Sequence, residues 1–223
     1  MAEIAPSILS ADFSRIEEEV LALARAGVSV LHLDVMDGIF VPNTTFDSEL
    51  ISQIRPLSNM VFDTHLMVIE PGLHIDDYIA AGADSITIHY EASSYPEEEL
   101  LYIREKGARS GLSIKPDTEV EEIEHLLRHL DLILVMSVEP GFGGQAFMPE
   151  VLPKIRQLAW LKQGNGYFYN IAVDGGVNRS NIQLLVEQGA ELLVMGSAFF
   201  REPDYQAALK EFRTLAKHRE RGF

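Results

Sequence analysis

Leu23-Ala24-Arg25-Ala26-Gly27-Val28-Ser29-Val30-Leu31-His32 is the stretch that decides the fold of this chain. It is typical of a helix end, a glycine in the left-handed position that stops the helix, and a short buried strand. Residues 79–89 and 186–195 repeat the same order of a helix end, a glycine and an apolar run. The recurrence predicts helices that alternate with parallel strands.

About eight such units follow one another along the chain. The expected strands cover residues 4–9, 30–35, 61–67, 85–89, 109–114, 132–137, 168–174 and 192–196. The expected helices cover residues 13–26, 48–54, 72–81, 97–106, 120–127, 150–163, 179–188 and 204–218. We interpret residues 1–223 as a single α/β domain, a (β/α)₈ TIM barrel. An open doubly wound sheet is the alternative, and the barrel is favoured because polar residues end nearly every expected strand.

The composition indicates which partners and which cellular compartment are compatible with this chain. A net charge of −16 argues against a nucleic-acid partner, because neutralising phosphates requires clustered Lys and Arg. The chain has no cysteine, which excludes disulfides and thiolate ligands. The first residues lack a basic and apolar leader, and no apolar stretch approaches ~18 residues. We therefore expect a cytoplasmic protein with no membrane partner.

Chemically active side chains stand at the ends of three expected strands. His32 and Asp34 are two residues apart, so they emerge on the same face of one strand. His65 ends a second strand, and Asp174 ends a third. Two imidazoles and two carboxylates suit zinc, iron or manganese, and the carboxylates can also carry protons. The alternative is that each His packs in the core and each Asp caps a helix.

Glycine-rich segments follow three of the later strands. They predict a phosphate held mainly by main-chain N–H groups, whereas flexible loops and helix-starting glycines are the alternative. Their residues are Gly141, Phe142, Gly143 and Gly144, then Gly175 and Gly176, then Gly196 and Ser197.

Other side chains near strand ends are weaker candidates for the same site. Met36, Met67 and Met136 could form a polarisable, water-poor lining, although gap-filling in the core is equally compatible with them. Ser7 could donate a hydrogen bond to a substrate oxygen. His89 is interpreted as a structural residue, or as one that supports a ligand from behind, rather than as a metal ligand itself.

Together these segments resemble the ribulose-phosphate 3-epimerase family, and they occur in the family's order along nearly the whole chain. The matching segments are Ile4-Ala5-Pro6-Ser7-Ile8-Leu9, His32-Leu33-Asp34-Val35-Met36-Asp37-Gly38, His65-Leu66-Met67-Val68, Pro140-Gly141-Phe142-Gly143-Gly144-Gln145, Val173-Asp174-Gly175-Gly176-Val177 and Gly196-Ser197-Ala198.

The resemblance implies a TIM barrel of the ribulose-phosphate-binding type. It implies one divalent ion, Zn²⁺ first and Fe²⁺, Mn²⁺ or Co²⁺ as alternatives, held by His32, Asp34, His65 and Asp174. Asp34 and Asp174 would exchange protons at C3 through a metal-stabilised enediolate and so interconvert D-ribulose 5-phosphate and D-xylulose 5-phosphate. The glycine-rich segments, Ser197, Ser7 and His65 would contact the substrate. A homo-oligomer, a dimer or a hexamer, is expected.

The chain departs from the family pattern at Ile39, at Lys115 and at Ala172. Lys115 ends the fifth expected strand and could alter sugar preference, so a 3-epimerase of a related ketose phosphate such as D-allulose 6-phosphate is an alternative. A phosphate-binding lyase or decarboxylase and a non-catalytic sugar-phosphate sensor are further alternatives. The lyase would use Lys115 as its catalytic lysine.

Overall fold

The computed structural model describes residues 2–217 of the chain. Met1 and residues 218–223 lie outside the described residues, and with them His218, the predicted end of the last helix. The prediction of one domain over residues 1–223 includes those positions and stays a prediction.

Eight parallel strands form a single sheet. They are β1 Glu3–Pro6, β2 Val30–Met36, β3 Val61–Met67, β4 Ser85–His89, β5 Arg109–Ile114, β6 Leu132–Met136, β7 Asn170–Asp174 and β8 Leu192–Met195. Their order is β1-β8-β7-β6-β5-β4-β3-β2, and a parallel bridge between Ser7 and His32 brings β1 beside β2. The sheet is therefore a nearly closed barrel, and the predicted (β/α)₈ fold is confirmed.

Helices surround the strands. They are α1 Ile16–Ala26, α2 Ser48–Ile54, α3 Ile75–Ala80, α4 Pro96–Glu105, α5 Val120–Ile123, α6 Leu152–Asn165, α7 Ile182–Gln188, α8 Ser197–Phe200 and α9 Tyr205–Leu215, with 3₁₀ turns at Ile8–Ser10, Phe13–Arg15, Arg55–Leu57, Pro71–Leu73, Tyr90–Ala92, Glu124–His129 and Pro149–Val151. Gly27 ends α1 with φ 85° and Gly189 ends α7 with φ 114°. Both glycines adopt the left-handed conformation that the repeated sequence pattern predicts.

The barrel interior has two unlike halves. On β6, β7, β8 and β1 the buried inward side chains form one apolar cluster that includes Ala5, Leu134, Ala172 and Val194, and Asp174 at the end of β7 is the polar exception. We call this the apolar half. On β2 to β5 the inward residues form a polar half whose buried polar side chains are His32, Asp34, Asp63, His65, Ser85, Thr87, His89 and Ser113. The outward residues of the same strands, such as Leu33, pack under the helices.

Several boundaries differ from the sequence prediction, and three of them have a clear local cause. The first strand ends at Pro6 rather than at residue 9, because the N–H of Ser10 bonds to the carbonyl of Ser7 and turns the chain. The seventh strand begins at Asn170 rather than at residue 168, where the side chain is 94% exposed. α7 begins at Ile182 rather than at residue 179, because the Asn178 side chain accepts from the Ser180 N–H and forms a turn there.

The lengths and polarity of the helices can be compared with what a membrane-spanning helix requires. Within residues 2–217, the helices are too short or too polar to cross a bilayer.

Candidate active site at the carboxyl end of the barrel

The structure brings His32, Asp34, His65 and Asp174 together. One candidate ligand atom from each of the four lies within 4.8 Å of the others. Asp34 of β2 is paired in register with His65 of β3, and Asp174 is the last residue of β7. His32 reaches the cluster because it lies two residues before Asp34 on the same strand face. Residues from three strands therefore meet at one point of the barrel.

Asp34 is the centre of this cluster. Its Oδ1 lies 3.3 Å from His32 Nε2 and 3.2 Å from His65 Nδ1. Its Oδ2 accepts a hydrogen bond of 2.5 Å from Ser7 Oγ. The two carboxylate oxygens thus have different surroundings, with one facing the imidazoles and the other held by a hydroxyl.

The electrostatics of the cluster favour a positive charge. Burial alone would lower the pKa of His32, but the carboxylates of Asp34 and Asp63 outweigh this effect and raise that pKa. His32 Nδ1 lies 2.8 Å from Asp63 Oδ2, whereas His32 Nε2 is buried without a hydrogen-bond partner. An orphaned imidazole nitrogen between carboxylates suits a divalent cation, which can replace a proton there. This group of residues could therefore bind a metal ion.

The two carboxyl groups differ in acidity. Burial opposes ionisation of Asp34, but the neighbouring His32 and His65 hold its pKa well below the usual range. Burial raises the pKa of Asp174 to about 7, and the negative charge of Asp34 adds to this effect. Near neutral pH one carboxyl is therefore ionised while the other is close to half protonated.

A cavity of about 250 Å³ opens beside the carboxylates. Of the predicted site residues, it is lined by Ser7, Asp34, Met36, Met67, Met136, Gly141, Phe142, Gly143, Gly144, Asp174, Gly175, Gly176, Gly196 and Ser197. His32 and His65 lie behind Asp34, fully buried, and do not line it. The predicted substrate contact of His65 is therefore absent from this lining and stays a prediction.

The glycine-rich segments bring the main chain close to the cavity. Gly176 has φ 64°, and a Cβ added to it would collide with the backbone of Phe147. Gly175 has φ 118°, and its Cβ would collide with Val138. Only glycine satisfies both the conformation and the space at these positions.

Sequence reasoning missed four polar residues that line the cavity, Ser10, Gln145, Asn178 and Arg201. Arg201 is the single basic side chain among the lining residues that the structure describes. Its N–H bonds to the carbonyl of Ser197, one helical turn earlier, so α8 connects it to the Gly196-Ser197 segment. The four-residue spacing from Ser197 was the only signal for it in the sequence.

Lys115 is absent from the cavity lining. Its Nζ lies 4.5 Å from the centroid of the Phe40 ring. Ile39 is 74% exposed and does not line the cavity either. The influence of these two departures on sugar preference stays a prediction.

A second buried network adjoins the cluster. His89 of β4 is fully buried, and its Nε2 lies 2.9 Å from His65 Nε2. Its Nδ1 lies 3.1 Å from a carboxylate oxygen of Glu91. His89 is not one of the four clustered residues, and its role as a structural residue or as a support for a ligand stays a prediction. Its specific contact with His65 was not foreseen.

Comparisons with known proteins identify the family. Residues 3–200 match the model of the Ribulose-phosphate 3 epimerase family. The chain belongs to this family. A ribulose-phosphate 3-epimerase of Synechocystis sp. is 47% identical over 212 residues, covering 94% of this chain and 92% of that protein. The enzyme of that name from Bacillus subtilis is 42% identical over 214 residues, covering 96% and 99%.

These relatives confirm the predicted family and enzyme class, an isomerase that acts on carbohydrates.

Solved structures with low sequence identity resemble this chain in fold alone. KGPDC from Streptococcus mutans has a TM-score of 0.70 at 13% identity, covering 97% of both chains. A 3-hexulose-6-phosphate synthase has a TM-score of 0.64 at 16% identity, covering 96% of this chain and all of that one. These structures confirm the TIM barrel fold, and the family match supports its ribulose-phosphate-binding type.

Proposed function

We propose that this epimerase-family chain interconverts D-ribulose 5-phosphate and D-xylulose 5-phosphate by inverting C3. The names of the curated relatives support the substrate class. The observation that carries the proposal is the pair Asp34 and Asp174, whose carboxyl groups reach one cavity while holding pKa values on opposite sides of their usual range.

The reaction needs one base and one acid on opposite faces of the sugar. C3 lies next to the C2 carbonyl, so loss of its proton leaves negative charge that can spread onto the carbonyl oxygen. Ionised Asp34 takes the C3 proton from one face, and protonated Asp174 returns a proton to the other. The roles are exchanged in the reverse direction.

The cluster fits a divalent ion bound by His32, Asp34, His65 and Asp174, with Zn²⁺ first and Fe²⁺, Mn²⁺ or Co²⁺ as alternatives. When bound, such an ion supplies Lewis acidity that stabilises negative charge on substrate oxygens. A carboxylate that binds an ion through both oxygens would be a weak base. Asp34 avoids this, because Ser7 holds Oδ2 while Oδ1 faces the imidazoles.

The glycine-rich segments and Arg201 would hold the phosphate. Main-chain N–H groups at residues 141–144, 175–176 and 196–197 would supply donors, and Arg201 would supply the positive charge that the other described lining residues lack. Met36, Met67 and Met136 line the same cavity and would keep water away from the reacting carbon. Phosphate binding far from C3 orients the sugar between the two carboxylates.

Two observations weigh against the alternatives. Among residues 2–217, no lysine lines the cavity, so a Schiff-base lyase lacks its nucleophile. All four candidate ligands are present, whereas a non-catalytic sugar-phosphate sensor would be expected to lose them.

A coupled epimerase assay that compares ribulose 5-phosphate with allulose 6-phosphate shows whether the enzyme prefers a pentulose phosphate or a hexulose phosphate.

Exchange of the C3 proton with deuterated water tests the two-base scheme. Asp34→Asn and Asp174→Asn should each slow inversion by roughly 10²–10⁴-fold. Each variant keeps one carboxylate, so it should still exchange the C3 proton of one epimer without inverting it, and the two variants should act on opposite epimers. Asp77→Asn, an exposed position on α3, is the matched control. Near wild-type inversion in both site variants would overturn the scheme.

We also propose a cytoplasmic homo-oligomer. Ile39, Ile69, Leu73 and Tyr95 are exposed apolar residues on loops after β2, β3 and β4. Asp37 holds two of these loops together, because it accepts from the N–H groups of both Ile39 and Ile69. We call these four side chains the apolar rim, a surface that a second copy of the chain could cover.

A further inference from the structure

A continuous path of side chains leads away from Asp34 through His65 and His89 of the polar half to Glu91 and Thr118 beyond it. From Asp34 Oδ1 it runs 3.2 Å to His65 Nδ1. From His65 Nε2 it runs 2.9 Å to His89 Nε2, and from His89 Nδ1 it runs 3.1 Å to Glu91 Oε2. Thr118 Oγ1 donates to the other oxygen of Glu91. The proposed reaction uses neither His89 nor Glu91.

Glu91 is fixed from the side opposite His89. The backbone N–H of Lys115 donates to Glu91 Oε1 over 2.7 Å, and the Thr118 hydroxyl donates to the same atom. Lys154 Nζ in turn binds the carbonyls of Lys115, Pro116 and Thr118 at 3.0, 2.9 and 2.5 Å. A carboxylate that receives these donors acts as an acceptor only.

The direction of the hydrogen bonds follows from that acceptor. His89 must carry its proton on Nδ1, because Nδ1 faces Glu91 and a carboxylate cannot donate. The Nε2 of neutral His89 then has only a lone pair, so the facing Nε2 of His65 must donate to it. The Nδ1 of neutral His65 is left without a proton, and this is the atom that faces Asp34.

We propose that His89 and Glu91 are positioning residues that fix the tautomer and ring orientation of His65, so that its bare Nδ1 is presented to the metal ion. The proposal rests on the metal site of the proposed function. Outer partners of this kind raise the basicity of a ligating imidazole and hold it in place. Phe40 closes the side of the path, with its ring centroid 4.9 Å from that of His89.

The tautomers can be measured on the full chain without any variant. Long-range ¹H–¹⁵N correlation spectra of the metal-free protein at neutral pH distinguish a protonated ring nitrogen from a bare one. We expect His65 to carry its proton on Nε2 and His89 on Nδ1. A proton on Nδ1 of His65 would overturn the proposal, and this outcome does not depend on whether the protein binds a metal.

Metal affinity gives the second readout. Competition between Co²⁺ and a chelator should show affinity reduced by about 10–100-fold in His89→Leu, which lacks an acceptor for His65. His89→Gln should recover most of the loss, because its amide oxygen can accept from His65 Nε2 while its NH₂ faces Glu91. His125→Leu, at an exposed position, is the control and should match the wild type.

Two results separate this inference from the proposed function. Folded His89→Leu that binds Co²⁺ as tightly as the wild type would contradict the role of His89. Wild-type protein that binds no divalent ion would instead contradict the proposed metal site, and the tautomer spectra would then still decide the direction of the path.

Discussion

At the scale of single residues, Asp34 and Asp174 show how environment separates two identical functional groups. Asp34 lies among imidazoles that favour its charge, whereas Asp174 lies beside a carboxylate and is partly removed from water. The difference should be visible in stability as well as in catalysis, because a shifted pKa changes the free energy of unfolding with pH.

The raised pKa of Asp174 predicts how stability varies with pH. Its value of about 7 in the folded chain lies above the unfolded value of 3.8. The folded state therefore holds this proton more tightly, and the stabilisation is complete below pH 3.8 and is lost as pH rises through 7. Metal-free Asp174→Asn should be more stable than metal-free wild type at pH 8, by about 1 kcal/mol or more, and the difference should shrink towards pH 4.

Urea unfolding of both proteins at the two pH values measures this difference, after the metal has been removed with a chelator. Equal stabilities at pH 8 would show that Asp174 ionises at no cost in the folded protein. Asp77→Asn, exposed on α3, controls for the general effect of removing a negative charge.

Arg201 should contribute to substrate binding more than to the chemical step. Arg201→Ala removes the one basic side chain of the described cavity lining, so KM should rise by about 10-fold or more while kcat changes little. The wild-type KM should also rise with ionic strength, and the variant should show less of this effect. Arg109→Ala, exposed at the opposite end of β5, is the control. A fall in kcat at constant KM would contradict a binding role.

Residue spacing predicted the four-residue cluster but not its surroundings. His32 and Asp34 were predictable because side chains two apart on a strand share a face. The contact between His65 and His89 depends on the lateral register of β3 and β4, which neither strand encodes by itself. Arg201 depends on a four-residue helix that is too short to show periodicity.

At the scale of elements, the connection between β5 and α5 is held by one buried lysine. Lys154 is 7% exposed and donates to three carbonyls of residues 115–118. Burial of this ammonium group lowers its pKa. The Lys154 ammonium group of α6 thus holds the loop of residues 115–118 that follows β5. The same loop contacts Glu91.

Lys154→Met should destabilise the protein by about 2–4 kcal/mol, because three carbonyls lose their donor while the methionine fills a similar volume. Denaturant unfolding measures this loss. Lys210→Met, at an exposed position of α9, should change stability by less than about 0.5 kcal/mol. Comparable stabilities of the two variants would mean that Lys154 does not fasten the loop.

Strand limits were predictable where a residue typical of turns lies just before the strand. β3, β4 and β5 run over Val61–Met67, Ser85–His89 and Arg109–Ile114, as predicted, and a glycine or polar residue lies one or two positions before each of them. The predicted end of the first strand was wrong, because Ile8 and Leu9 continue the apolar run although a hydrogen-bonded turn has begun. Apolar runs mark burial, and they do not distinguish a strand from the buried turn that follows it.

At the scale of the whole molecule, the apolar rim should mediate self-association. Leu73 is 80% exposed and Tyr95 is 66% exposed, which is costly for side chains of this size in water. Light scattering should therefore report a multiple of 24.9 kDa, and Leu73→Arg should lower the mass. Trp160→Arg, 69% exposed on α6, is the matched control. Particles of 24.9 kDa alone would contradict the proposed oligomer.

The single bridge between Ser7 and His32 has a consequence for how the cylinder opens. Every other pair of adjacent strands shares between three and seven residue pairs, so this junction is the seam of the barrel. Ser7 also donates a hydrogen bond to Asp34, so the seam runs through the four-residue cluster. A metal ion or substrate bound at this site would hold β1 and β2 together. Amide hydrogens of both strands should then exchange with solvent more slowly than in the unliganded enzyme.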